Sequence, residues 1–248
     1  VTEPVLDPGA GPLPGADGPD GRHGPHAFVA DVDVPVLDLD DRHHLQRVVR
    51  LRAGDPLTVS DGAGRWRPCR FGDDLESTGP VVRQHLAAPA ITIAFAPVKG
   101  DRPELVVQKL TELGVDRIIL FWASRSVVRW DTDRTVRQIG RLRRVAREAA
   151  MQCRRCWLPV VEDPTTFDEV ARLPGAVLAE RDGWSPVGSA DAAPVVVLVG
   201  PEGGWTPEER ATVPVHVGFG AQVLRAETAA ITVAAVLGAL RSGLVRPI

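Results

Sequence analysis

VVVLVGPEGGWTPEER, residues 195–210, is where the reading of this chain turns. An unbroken apolar run meets a glycine-rich turn and passes directly into a helix start. There Thr206-Pro207-Glu208-Glu209 forms a capping box with proline in the first turn. A buried strand leading into such a turn lets backbone N–H groups approach a ligand closely. The turn is no Walker loop, because no Lys follows the glycines. It is no dinucleotide fingerprint either: that pattern sits at the first strand of its fold, and Gly218-Phe219-Gly220 is too degenerate to serve. Glu202 would repel a phosphate. The residues therefore leave two readings open, a zwitterionic or cationic ligand held by backbone groups, or a plain strand-to-helix turn.

Outward from this stretch the pattern alternates strand and helix. ITIAFAPV (91–98) reads as a strand, and Asp101 as the N-cap of a helix that carries Pro103 and Glu104 and stops at Gly114. RIILFWA is a buried strand. Residues 133–151 form a long helix with Ile139, Leu142, Val145, Ala146 and Ala149 inward. AVLAE, VVVLVG and VHVGF are strands, and residues 227–242 a final apolar helix. Such alternation predicts an α/β domain with a mostly parallel sheet over residues 89–248. Residues 26–88 differ: short β-rich segments flank Asp61-Gly62-Ala63-Gly64, a hairpin signal, and predict a small β-barrel. Residues 1–25, rich in Pro, Gly and Asp, read as a flexible lead.

With 44% hydrophobic residues the chain can bury a core, yet no apolar run reaches the roughly 20 residues of a membrane span. No secretory signal pattern opens the sequence, so a cytoplasmic protein is expected. Cys69, Cys153 and Cys156 are too few and too odd for a disulfide framework, and the Cys-x-x-Cys has no companion pair to complete a metal site; no metal is expected. The net charge of −3 hides a segregation: residues 42–70 are net +5 and residues 101–160 net +6. Arg134, Arg137, Arg141 and Arg144 recur at helical spacing, Arg154 and Arg155 follow, and Arg42, Arg47, Arg50 and Arg52 cluster in the barrel. These are candidate phosphate contacts, with a solvated helix face as the plain alternative.

The second chemical stretch is GFGAQVLRAETAA, residues 218–230. In this order and this late in the chain, LVGPEGGW and GFGAQVLRAETAA resemble the ribosomal RNA small subunit methyltransferase E family, of the SPOUT trefoil-knot class. HHLQRVVRLRAGDPLTVSDGAG is similar to its N-terminal PUA-like barrel, PVKGDRPELVVQKLTELGV to its linker and first catalytic-domain helix, and REAAMQCRRCWLPVV to its Gln-x-x-Arg segment. Two positions depart from the family pattern: Cys153 within Gln152-Cys153-Arg154, and Gln222 where relatives more often carry Arg.

The resemblance implies a knotted domain that binds S-adenosylmethionine. Its pocket would come from Leu178, Ala179 and Glu180, from Val199, Gly200, Pro201, Glu202, Gly203 and Gly204, and from Phe219, Gly220, Val223, Leu224, Arg225, Glu227, Thr228 and Ala229. It also implies a homodimer that methylates N3 of a uridine of 16S rRNA, uridine 1498 in the usual rRNA numbering, alone or in the small ribosomal subunit. For that chemistry Arg225 is the candidate charge stabiliser, and Glu227 and Glu202 the candidate proton acceptors or orienters. A non-catalytic RNA-binding or ribosome-assembly protein on the same fold, or a knot methyltransferase acting on another base, stays open.

Overall fold

The computed structural model describes residues 18–98, 102–185 and 195–245. Asp101, the expected N-cap, and residues 1–17 of the expected lead lie outside the described residues. The rest of that lead makes one 3₁₀ turn, Gly21–His23, with the Asp20 carboxylate accepting from Arg22 N at 3.0 Å.

The N-terminal, PUA-like domain is a five-stranded sheet of His26–Phe28 (β1), Pro56–Ser60 (β2), Arg65–Arg70 (β3), Glu76–Ser77 (β4) and Val82–Arg83 (β5). β1 runs parallel to β2, β2 and β3 form an antiparallel hairpin, and β4 and β5 both pair with β3. The hairpin follows from its turn residues. Asp61 Oδ1 accepts from the backbone N–H of Ala63 at 2.8 Å and Arg65 at 3.1 Å, while Gly62 and Gly64 take φ of +74° and +88°. The basic stretch before β2 forms Leu39–His44 (α1), which runs on through a wide π-type turn, Leu45–Val49, to Arg50 in the left-handed region.

The second domain alternates as expected: Thr92–Phe95 (β6), Arg102–Glu112 (α2), Arg117–Trp122 (β7), Thr132–Gln152 (α3), Val160–Val161 (β8), Thr165–Thr166 (β9), Phe167–Ala171 (α4), Ala176–Trp184 (β10), Val196–Val199 (β11), Pro207–Thr212 (α5), His216–Val217 (β12) and Ala226–Arg241 (α6). Its sheet is parallel in every pairing, in the order β12-β10-β11-β6-β7-β8, with β9 beside β7. β6, β7 and β11 are fully or nearly fully apolar because both faces are covered. One core holds α2, α3 and α6 through Val106, Leu110, Ile139, Leu142, Val233 and Leu237; the other holds α4 and α5 through Phe121, Phe167, Leu178 and Trp205. Of the residues expected to face inward on α3, Ile139, Leu142, Ala146 and Ala149 are buried and Val145 packs at the edge.

Two polar locks fix the frame. Arg147 of α3 reaches into the PUA-like domain, where Asp41 accepts from it at 2.8 and 2.5 Å and its guanidinium lies 5.5 Å above the Phe28 ring. At the amino end of β7, Asp116 accepts from Arg155 at 2.8 Å, from Arg241 at 2.5 Å and from the backbone N–H of Ile91 at 2.9 Å. That one carboxylate ties the interdomain connection, the segment after α3 and the end of α6 together.

Candidate functional site

A cavity of about 330 Å³ opens at the carboxyl ends of β10, β11 and β12, where parallel sheets place their ligands. Three segments wall it: Ala179–Asp182, Val199–Trp205 and Phe219–Ala226, with Ala229 and Val233 of α6 behind. Its lining mixes apolar side chains (Val199, Phe219, Leu224, Val233) with charged rim groups.

The glycine turn is shaped by the protein around it. A Cβ on Gly200 would stand 2.9 Å from the Trp205 indole, and one on Gly203 would stand 3.0 Å from Arg125 Cβ. Gly204 takes φ of +67°, which suits glycine. The indole is itself fixed, with Nε1 donating to Ala179 O at 3.1 Å and the rings stacked on Phe121 at 6.1 Å and 5°. Arg125 Nη1 donates to Gly203 O at 3.0 Å and Trp205 O at 3.3 Å. The Thr206–Glu209 capping box forms as expected, and the buried Glu209 also accepts from Ser124 N at 2.8 Å, joining the turn to the loop after β7.

The third wall is held differently. Among the described residues no backbone hydrogen bond ties down residues 219–224. α6 then starts at Arg225 with no side-chain cap, so its first-turn N–H groups lack a side-chain acceptor. Free backbone donors and acceptors beside apolar walls are the means of holding a polar heterocycle and a zwitterion. Glu180, by contrast, is occupied: it pairs with Arg210 and, at 3.1 Å, with His216. At the rim, Arg181 holds the Asp182 carboxyl below the usual carboxylate range by a direct hydrogen bond.

Most of the expected cofactor residues line this cavity: Ala179, Glu180, Val199, Gly200, Pro201, Glu202, Gly204, Phe219, Gly220, Val223, Leu224 and Ala229. Leu178, Gly203, Arg225, Glu227 and Thr228 do not. Leu178 faces the α4–α5 core, Gly203 packs on Arg125, and Thr228 is exposed. Arg225 is exposed at the head of α6 and makes no side-chain hydrogen bond or ion pair among the described residues. Glu227 is buried and faces α2, with Oε1 3.4 Å from Arg102 Nη1. The wall also holds Arg181, Asp182, Trp205, Arg210 and Val233, which lie outside the three expected loops. For Val233 a signal exists: with Ala226 and Ala229 it repeats at three- and four-residue spacing on one face of α6.

The candidate RNA arginines divide. Arg47, Arg50 and Arg52 are exposed, as are Arg134, Arg137 and Arg144. Arg141 is exposed but paired with Glu104 at 3.0 Å. Arg42 donates to Gly72 O at 2.7 Å and lies over Phe71, and Arg154 donates to Gly24 O at 3.0 Å. Arg155 is committed inside the protein, donating to Asp116 and to the carbonyls of Thr111 and Val115; burial pushes its pKa down. Three of its five N–H donors are spent on protein and its side chain is only 13% exposed, so little of it faces a phosphate. Among the described residues no His, Cys, Asp and Glu group could hold a metal, and no helix is long and apolar enough to cross a membrane.

Comparison with known proteins agrees with this architecture. Residues 86–238 match a family model described as an RNA methyltransferase domain, and residues 37–74 one described as an RNA methyltransferase PUA domain. The ribosomal RNA small subunit methyltransferase E of Mycobacterium bovis is 31% identical, over 84% of this chain and 87% of that protein. Its namesake from Synechocystis is 33% identical, over 80% and 70%. A methyltransferase of Legionella pneumophila solved with bound cofactor SAM superposes with a TM-score of 0.74 at 26% identity, covering 86% of this chain and 96% of that one. Two domain matches in the right order and relatives matched along most of their length place this chain in the ribosomal RNA small subunit methyltransferase E family.

Proposed function

We propose that this protein methylates N3 of a uridine in 16S rRNA with S-adenosylmethionine as donor, acting in the cytoplasm as a homodimer. The observation that carries the reading is the cavity itself. It has apolar walls, a third wall whose backbone groups are not otherwise bonded, and the uncapped start of α6 with Arg225 beside it. These residues fit the cofactor: the walls take an adenine, the backbone groups its polar edge, and the exposed Glu202 at the rim suits a cationic or amino group. When bound, S-adenosylmethionine supplies an electrophilic methyl group on a sulfonium.

The residues of the chain then have separable tasks. Val199, Phe219, Leu224 and Val233 exclude water from the transfer site. N3–H of uracil is a weak acid, and losing its proton spreads negative charge onto the two ring carbonyl oxygens. Arg225, exposed between the lining residues Leu224 and Ala226 and with no side-chain partner among the described residues, is the donor to those oxygens in this reading. Glu202 is the proton acceptor, since its exposed carboxylate stands at the cavity rim with no partner among the described residues. Glu227, turned away from the cavity and paired with Arg102, orients rather than accepts. Val223, 79% exposed on the cavity rim, is apolar surface that a second copy would cover.

The test is methyl transfer to rRNA from a strain lacking the modification, offered as free 16S rRNA and as assembled small subunits, with mass mapping of the product. A methyl group on uridine N3 is expected. Methylation of another atom or base refutes the reading, and calorimetry showing no S-adenosylmethionine binding leaves a binding module on this fold.

A further inference from the structure

α2 and α6 lie side by side and point the same way: Arg102 meets Glu227 at one end, and at the other a Cβ on Gly238 would touch Leu113 O. Their positive ends therefore sit together, and each carries an arginine, Arg102 in the first turn of α2 and Arg225 at the N-cap of α6. A helix dipole disfavours a cation there, whereas an anion drawn to that end is favoured by dipole and guanidinium alike.

Two of the arginines on this side are braced in the same way. Arg102, with its side chain 42% exposed, leans on Glu227, which is 11% exposed; Arg141, 59% exposed, leans on Glu104, which is 14% exposed. In both glutamates the second oxygen is buried with no hydrogen-bond partner among the described residues. A buried carboxylate oxygen without a donor is costly, so these glutamates are poor placements for stability alone. What each does is fix where a guanidinium stands while leaving most of its N–H donors toward solvent. Arg155 shows the contrast: its side chain is 13% exposed, and three of its five donors are spent on protein.

The two braced pairs also connect distant places. Glu227 directly follows the cavity residue Ala226 and stands two residues before Ala229, and Glu104 is two residues from Arg102. Arg141 is one turn from Arg144, which lines the cleft between the domains with His44 and Arg154. Acids on this strip are Glu104, Glu227, Glu148 and Asp133 in the first turn of α3, against Arg102, Arg134, Arg137, Arg141, Arg144 and Arg225; Arg134, Arg137, Arg144 and Arg225 have no side-chain partner among the described residues, so the strip stays positive.

We propose that Arg102 and Arg141, positioned by Glu227 and Glu104, each grip a phosphate of a single RNA strand and lead it from the interdomain cleft to the cavity mouth. This rests on the reading of RNA as substrate. The test is binding of the full chain to a 16S rRNA fragment by fluorescence anisotropy across a series of KCl concentrations. For R102Q and R141Q the slope of log Kd against log salt drops by about 0.7 each, the value for one phosphate contact on a single strand. R172Q, an exposed arginine at the end of α4, keeps the wild-type slope. Calorimetric affinity for S-adenosylmethionine stays within about twofold throughout, as expected for contacts made to phosphate alone. E227Q keeps the charge of Arg102 but loses its brace, so it weakens RNA binding with the slope retained. R102K behaves likewise, and these two carry the test if R102Q does not fold.

Wild-type slopes in R102Q and R141Q, or wild-type RNA affinity in a folded E227Q or R102K, overturn the proposal. A protein that shows the expected slopes yet leaves uridine N3 unmethylated would instead refute the proposed reaction and leave the RNA path standing.

Discussion

His26 should make this protein lose stability in mild acid, and the size of the loss follows from its surroundings. The ring is 3% exposed on β1, with Nδ1 2.8 Å from Thr58 Oγ1 and Nε2 2.9 Å from Ser60 Oγ. Burial, and secondarily the positive charge of Arg154, lowers its pKa from 6.5 to about 3. The folded state therefore holds the ring neutral, while the unfolded chain takes up a proton as pH falls through 6.5. The contribution is complete above pH 6.5, declines from there toward pH 3, and declines no further below, where both states are protonated. Linkage puts the loss at about 2 kcal/mol by pH 5 and about 3 kcal/mol by pH 4, at about 1.4 kcal/mol per pH unit. The assay is urea unfolding of the wild type and H26N at pH 7.5, 6, 5 and 4. H26N lowers stability at pH 7.5, and the gap between the two proteins narrows by about 2 kcal/mol at pH 5. A gap that stays constant from pH 7.5 to pH 4 refutes the account. Arg154→Gln adds a second arm: removing that charge raises the His26 pKa and shallows the wild-type decline.

Three further substitutions probe other parts of the molecule. Gly200→Ala forces a Cβ to within 2.9 Å of an indole that cannot move freely, so S-adenosylmethionine affinity falls on the order of tenfold by calorimetry with little change in melting temperature. Asp116→Ala leaves Arg155 and Arg241 buried without their carboxylate, at side-chain exposures of 13% and 11%; urea unfolding should show a loss of about 3 kcal/mol. Arg225→Ala cuts methyl transfer about a hundredfold while cofactor affinity stays within about twofold, and equal losses in both would make Arg225 a structural residue.

The local features of this fold could be read from sequence because they are made by residues near one another. Thr206 and Glu209 cap α5 from three positions apart, and Asp61 with its glycines closes the β2–β3 hairpin. Helix faces were legible for the same reason. What periodicity cannot supply is the distant partner. Arg155 and Arg137 look alike as basic residues on or after one helix, yet Arg155 is consumed by an aspartate 39 residues away. Glu202 and Glu227 look alike as carboxylates beside glycine-rich or helix-start motifs, yet one lies open at a rim and the other is buried against α2. Arg102 did leave a trace in the sequence: a cation in the first turn of a helix works against the dipole and calls for a reason.

The same limit explains how the cavity arises at all. A Cβ on Gly183 would fall 2.5 Å from Val217 N, and one on Gly218 would fall 2.8 Å from Gly183 O and 3.0 Å from Arg181 O. Two backbones thus cross at contact distance where β10 ends and β12 leaves it, and neither tolerates a side chain on its near face. That crossing sends Phe219–Leu224 past the ends of β10 and β11, opposite the glycine turn at residues 200–204. The turn that opens this reading forms only one wall, and a strand-to-helix glycine turn by itself would face solvent. Two glycines, Gly183 outside any motif and Gly218 at the head of the GFGAQVLRAETAA stretch, are what bring the second wall across it. A chain could keep the whole glycine-rich stretch at 200–204 and still have no pocket if that crossing were lost.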